Sequence, residues 1–132
     1  MADIETTTTN DEGFAAGNVA GEYELQIDAR EETGPNPNQV LVADYASCFT
    51  FAFRAGAMRA GHDDLGRIQT EAEANLDDDD DLTDVAFTLL VEAELTDDEV
   101  VELTDEAEDI CHVHAALREG LHADVSVEPD AF

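Results

Sequence analysis

The chain has 132 residues, with 34 Asp and Glu against five basic residues, a formal net charge of −29, and 43% apolar residues. This length suits one domain with its own core. The charge excludes nucleic acid as a partner, because phosphates are bound by Lys and Arg that displace counterions, and it disfavours an anionic membrane surface for the same reason. Disorder requires low hydrophobicity together with high charge; here the apolar residues fall in periodic runs. The reading is a folded domain with a carboxylate surface, as expected of a cytoplasmic protein from an extreme halophile. At ~1 M salt the Debye length is ~3 Å, and repulsion between surface charges is largely screened.

In chain order, residues 1–12 are polar and read as a disordered N-terminal tail, with residues 13–132 forming a single domain. The start has no basic segment followed by an apolar one, and no apolar run approaches the length of a membrane span, so a cytoplasmic location is expected. Small residues from Phe14 to Ala20 allow a weak strand. Tyr23, Leu25 and Ile27 alternate with polar residues as a half-buried strand. Asn36 then reads as an N-cap, with Pro37 at the first helical position and Gln39 completing a capping box. Val40, Leu41, Tyr45, Cys48, Phe49, Ala52, Phe53 and Gly56 follow at helical spacing, and this core helix should end near Gly61.

Residues 67–75 and Val85 to Val91 alternate as a hairpin around Asp77–Asp81, a run without the glycine and ligand spacing of a calcium loop. Thr96 and Glu99 form a capping box for an amphipathic helix carrying Val100, Leu103, Ala107 and Ile110 on one face. Cys111 follows at or just past its end, and Leu121 to Val127 alternate as a last strand. The element order is β-(β)-α-β-β-α-β, an α+β domain.

The chemistry-bearing residues are few. Cys48 and Cys111 are free thiols, a redox pair or metal ligands. Cys48 lies among Tyr45, Phe49, Phe51 and Phe53. It reads either as a small buried core residue or as a nucleophile with an aromatic floor for an apolar substrate. Sixty-two residues separate the two cysteines, which excludes a CxxC mechanism and leaves spatial proximity open. Cys111-His112-Val113-His114 also suggests a soft-metal site, without the paired spacing of structural zinc modules. His112 and His114 read otherwise as surface residues or as supports around the site.

Gly34-Pro35-Asn36-Pro37 followed by Val40-Leu41-Val42-Ala43-Asp44-Tyr45-Ala46-Ser47-Cys48-Phe49 resembles the first motif of the OsmC/Ohr family of osmotically induced and organic-hydroperoxide-resistance proteins. Ala107-Glu108-Asp109-Ile110-Cys111-His112-Val113 resembles its second motif, and Glu119 to Val125 its last strand. The resemblance implies an antiparallel sheet packed on a central Cys-bearing helix, in an intertwined homodimer with active sites at the interface. It also implies a peroxidase without bound cofactor or metal. In that mechanism Cys48 attacks an organic hydroperoxide and becomes a sulfenic acid, Cys111 condenses with it to a disulfide, and an external dithiol reduces the pair. Tyr45, Phe49, Phe51 and Phe53 would favour an apolar R group.

Three positions depart from the family pattern. Asn38 stands where the hydroperoxidases carry an acidic residue that orients an arginine over the sulfur. His112 stands where proline follows the second cysteine. Asp44, one turn before Cys48, replaces a small residue and would disfavour a thiolate. Cys48 is too deep in its helix for the N-terminal dipole to help, so a contact cation is required. All five cations are arginines, and Arg30 is the first candidate, ahead of Arg59 and Arg118. The alternative is a family member that binds an apolar or thiol-reactive ligand, or a soft metal at Cys111, His112 and His114, without turnover.

Overall fold

The computed structural model describes residues 2–132. Their contacts gather in two compact units where the patterning suggested one domain, the first ending at Leu41 and the second running from Val42 to Phe132.

In the first unit, β1 (Thr6–Thr9), β2 (Ala15–Ala20) and β3 (Tyr23–Asp28) form an antiparallel meander in the order β1-β2-β3. Within the tail expected to be disordered over residues 1–12, of which Met1 lies outside the described residues, Thr6–Thr9 instead form strand β1. Four β-branched threonines suit an extended strand, and they pair with β2 from Thr6↔Ala20 to Thr9↔Gly17. Tyr23 and Leu25 alternate as expected on one face of β3 but are 74% and 45% exposed.

A carboxylate overlooked in the sequence organises the exit from β3. Asp28 is buried and accepts from the Arg30 N–H at 2.8 Å, the Thr33 N–H at 3.0 Å and the Thr33 hydroxyl at 2.9 Å. These bonds, the Arg30 N–H foremost, hold its carboxyl below the ordinary value of 3.8. A depressed folded value means that this stabilisation is complete above the ordinary value and is lost as pH falls through the folded one. Asp28→Asn turns an amide N–H₂ toward a donor. Its stability deficit in urea unfolding is therefore expected to be full at about pH 6 and to shrink below about pH 4. A deficit independent of pH would contradict this.

Helix α1 (Pro37–Arg59) starts with the expected reciprocal cap. The Gln39 N–H donates to Asn36 Oδ1, and the Asn36 N–H donates to Gln39 Oε1, both at 2.9 Å. It ends in a Schellman turn: Gly61, at φ +92°, donates to the Met58 carbonyl, and His62 donates to the Ala57 carbonyl.

In the second unit, β4 (Ile68–Leu76) and β5 (Leu82–Val91) form an antiparallel hairpin. Its acidic turn is self-bonded, with Asp77 Oδ1 accepting from the Asp79 and Asp81 N–H groups at 2.8 and 3.0 Å. Helices α2 (Asp97–Ile110) and α3 (His112–Ala116) then carry the chain to β6 (Asp124–Glu128), which runs parallel to β5. The sheet is therefore mixed rather than antiparallel. A helical crossover of this length returns the chain in the same direction, as a tight hairpin cannot.

Alternate residues of β5, namely Val85, Phe87, Leu89 and Val91, and Leu82 at its start are buried with Tyr45, Phe49, Ala52 and Phe53 of α1 and with Leu103 and Ala107 of α2. Helices α1 and α2 cross at Gly56, where an added Cβ would lie 2.8 Å from Glu106 Cβ. The cap of α2 is reciprocal between Thr96 and Glu99, and the second carboxylate oxygen of Glu99 pairs with His62 Nε2 at 3.1 Å.

Candidate active site

Successive residues of an α-helix turn by about 100°. This places Tyr45, Phe49, Ala52 and Gly56 on one stripe of α1 and Cys48 at its edge. The stripe is buried and Cys48 is half-buried, while Asp44, further round, is exposed. Phe51 falls on the opposite side from Phe49 and Phe53. It is 69% exposed, whereas Tyr45, Phe49 and Phe53 are fully buried. The four aromatics therefore do not make one floor, which corrects the expectation from their closeness in sequence. Tyr45 and Phe49 pack on Phe87 with ring centroids 4.7 and 5.5 Å away. Phe51 lines a shallow groove of about 200 Å³ with Ala46, Ser47, Thr50, Ile68 and Thr70.

Cys111 occupies the junction of two helices. Its N–H closes α2 on the Ala107 carbonyl at 2.9 Å, and its Sγ accepts from the His114 N–H at 3.4 Å as the N-cap of α3. His112, in the place of the family's proline, is the first residue of α3, where no intrahelical partner for its N–H is required. This junction brings the two cysteines together. Both are free thiols, and Cys48 lies near enough to Cys111 to raise its thiol. Burial, opposed by the His114 N–H and reinforced by the neighbouring Cys48 sulfur, pushes the Cys111 thiol up to about 11.

A polar group missed by the sequence reading lies beside Cys111. The fully buried Tyr45 has its hydroxyl 2.6 Å from His114 Nδ1 and accepts the Ala123 N–H at 2.9 Å. Burial raises the Tyr45 hydroxyl above its ordinary value, and burial with the neighbouring His122 lowers His114. Both are therefore neutral near pH 7. Tyr45 Oη and His114 Nδ1 therefore share a buried hydrogen bond whose donor is set by the histidine tautomer. The His114 ring stacks on His122 at 3.8 Å between centroids. Sixty-nine residues separate Tyr45 and His114, and only the alternation of buried positions could have suggested that a tyrosine in a core helix needs a polar partner.

The arginines have other partners than carboxylates. The Arg30 guanidinium, in the first unit, lies 4.5 Å above the Phe14 ring. In the second unit Arg67 covers Phe132 at 5.0 Å, and Arg54 and Arg118 donate to the Gly66 and Leu82 carbonyls at 2.6 and 2.7 Å. Among the described residues no three His, Cys, Asp or Glu side chains form a group that could hold a metal ion. The Cys111, His112 and His114 alternative is not assembled: His112 is exposed, and Nδ1 of His114 is engaged by Tyr45. Among the described residues no helix is long and apolar enough to cross a membrane.

The family model described as OsmC-like protein matches residues 30–126. The chain belongs to the OsmC family. An uncharacterized protein of the halophilic archaeon Haloferax volcanii is 57% identical over 132 residues, all of both chains. The OsmC-like protein of Mycoplasma pneumoniae superposes with a TM-score of 0.83 at 16% identity, over 97% of each chain. The organic hydroperoxide resistance protein OhrB of Bacillus subtilis does so with a TM-score of 0.69 at 22% identity, over 96% of this chain and 98% of that one. The OsmC fold thus holds across a sequence with scarcely one residue in five in common. Cys48 and Cys111 both lie within the matched residues 30–126.

Proposed function

We propose that the chain is a thiol peroxidase that reduces organic hydroperoxides to alcohols, with Cys48 as peroxidatic and Cys111 as resolving cysteine. The observation that supports this reading is the nearness of two free thiols, one half-buried and one only 1% exposed. Cys111 is kept protonated by burial, so the half-buried Cys48 is the sulfur left to meet peroxide. Its thiolate attacks the distal oxygen of ROOH; the S–O bond forms, the O–O bond breaks, and the alkoxide leaves as ROH after taking a proton. Cys48 is then a neutral sulfenic acid, and the part of the upward push on Cys111 that came from the Cys48 sulfur is gone. Cys111 ionises more readily at the moment it is needed. It attacks Cys48, the S–S bond forms, and the S–O bond breaks with loss of water.

An external dithiol returns both thiols by exchange, and no bound cofactor takes part. The groove lined by Ala46, Phe51 and Ile68 offers apolar surface to the R group. The reading places the protein in the cytoplasm at high salt. The reading includes a homodimer, supported by large apolar side chains exposed in the single chain, among them Tyr23, Phe51 and Met58.

The deciding measurement is stopped-flow oxidation of the reduced protein by cumene hydroperoxide in molar KCl, wild type against Cys48→Ser. Loss of one thiol pair per peroxide in the wild type alone is expected. Oxidation no faster than that of free cysteine would favour instead a ligand-binding member of the family without turnover, the reading to which Asn38 in place of the acidic residue points.

A further inference from the structure

We propose that Tyr45 and His114 are positioning residues for the two cysteines, setting the approach of Cys111 to Cys48 through a hydrogen bond that runs beside the thiol contact. Its consequence for peroxide chemistry rests on the peroxidase reading; the geometry does not. Tyr45 lies three residues before Cys48 on α1, and His114 lies three residues after Cys111 at the start of α3. The same two segments therefore meet twice at matching spacing, once where Cys48 neighbours Cys111 and once by Tyr45 Oη to His114 Nδ1 at 2.6 Å. His114 serves both links, since its main-chain N–H donates to Cys111 Sγ at 3.4 Å.

The far ends of the link are held as well. Tyr45 Oη accepts the Ala123 N–H at 2.9 Å at the entry to β6. The His114 ring stacks on His122, whose Nε2 lies 3.1 Å from the Leu117 carbonyl that ends α3. Any slide of α3 along α1 that separates the sulfurs must break a buried hydrogen bond, and buried donors and acceptors left without partners are costly. The resolving step is a bimolecular encounter made intramolecular, so its rate depends steeply on this alignment. In that step the Cys111 thiolate attacks the Cys48 sulfur, S–S forms, S–O breaks, and the departing hydroxide with the Cys111 proton makes water. When alignment is lost, a second hydroperoxide reaches the sulfenic acid first and converts it to sulfinic acid.

Three variants test the assignment in the full chain in molar KCl. Tyr45→Phe removes only the hydroxyl, His114→Leu removes its ring partner, and His114→Asn replaces Nδ1 with an amide that can accept or donate. Equilibration with a glutathione redox buffer, which involves no peroxide, measures the effective concentration of the thiol pair. It is expected to fall about tenfold in Tyr45→Phe and His114→Leu and to return toward wild type in His114→Asn. With cumene hydroperoxide, the first oxidation is expected to be unchanged and disulfide formation to slow by the same factor, with sulfinic acid accumulating on Cys48. Wild-type effective concentration in Tyr45→Phe would overturn the assignment. So would an equal loss in Leu103→Ala, a core variant that loosens the unit without touching the link. Should Tyr45→Phe not fold, the contrast between His114→Leu and His114→Asn decides. A wild type inert to hydroperoxide whose thiol pairing still weakens in Tyr45→Phe would overturn the peroxidase reading and support the positioning role.

Discussion

Cys111→Ser is expected to consume one hydroperoxide per chain rapidly and a second more slowly, and then stop. The first oxidation needs only Cys48, so its rate should be close to that of the wild type. The sulfenic acid then has no partner thiol, and further peroxide drives it to sulfinic acid, which ordinary thiols do not reverse. With a dithiol reductant present, steady-state turnover should fall by more than about a hundredfold, the scale lost when a positioned intramolecular step is replaced by encounter from solution. Serine is a good N-cap and keeps an acceptor for the His114 N–H now bound by sulfur at 3.4 Å, so the junction of α2 and α3 should persist. Mass spectrometry of Cys48 after one and ten equivalents of cumene hydroperoxide distinguishes sulfenic from sulfinic acid. Wild-type turnover in Cys111→Ser would remove Cys111 from the mechanism.

Withdrawal of salt is expected to unfold the chain. The net charge is −29, and the partners described for Arg30, Arg54, Arg67 and Arg118 are rings and main-chain carbonyls rather than carboxylates. These cations therefore leave the acidic surface uncompensated. The Debye length lengthens from ~3 Å at 1 M to ~10 Å at 0.1 M salt, so neighbouring carboxylates that ignore each other at high salt repel at low salt. Relief of a repulsion of about 3 kcal/mol corresponds to a rise in Tm of about 10 °C in a domain of this size. Thermal unfolding followed by circular dichroism between about 0.2 and about 2 M KCl should show at least that rise, accompanied by loss of helix at the lowest salt. A Tm independent of salt would mean that the carboxylates contribute nothing to the stability balance. Peroxidase measurements in dilute buffer would report on the unfolding rather than on the site.

The features legible in the sequence are those whose causes are local. The Asn36–Gln39 and Thr96–Glu99 caps, the end of α1 at Gly61 and the β4–β5 hairpin each depend on residues a few positions apart, and each appears where its residues place it. The acidic turn at Asp77–Asp81 is likewise explained by its own side chains. Where the reading went astray, a longer-range partner was decisive. The threonines of β1 carry no hydrophobic alternation, and they form a strand because β2 offers an edge to pair with. Phe51 was grouped with Phe49 and Phe53 by nearness in sequence, whereas the helical turn sends it to the opposite side.

By itself the sequence determined the carboxylate surface, the core helix bearing Cys48, the amphipathic helix ending at Cys111, and the OsmC motifs that contain both. Helical and strand periods are properties of neighbouring residues, and charge is a sum that needs no coordinates. Tertiary structure alone decided that the two sulfurs meet, that β6 lies parallel to β5, and that Tyr45 reaches His114. Each follows from the crossover through α2 and α3, which returns the chain to the sheet and sets residues more than sixty positions apart side by side. No period or local propensity encodes such a pairing. It emerges when the buried stripes of α1, α2 and β5 are packed against one another, and the polar groups trapped between them must then find partners.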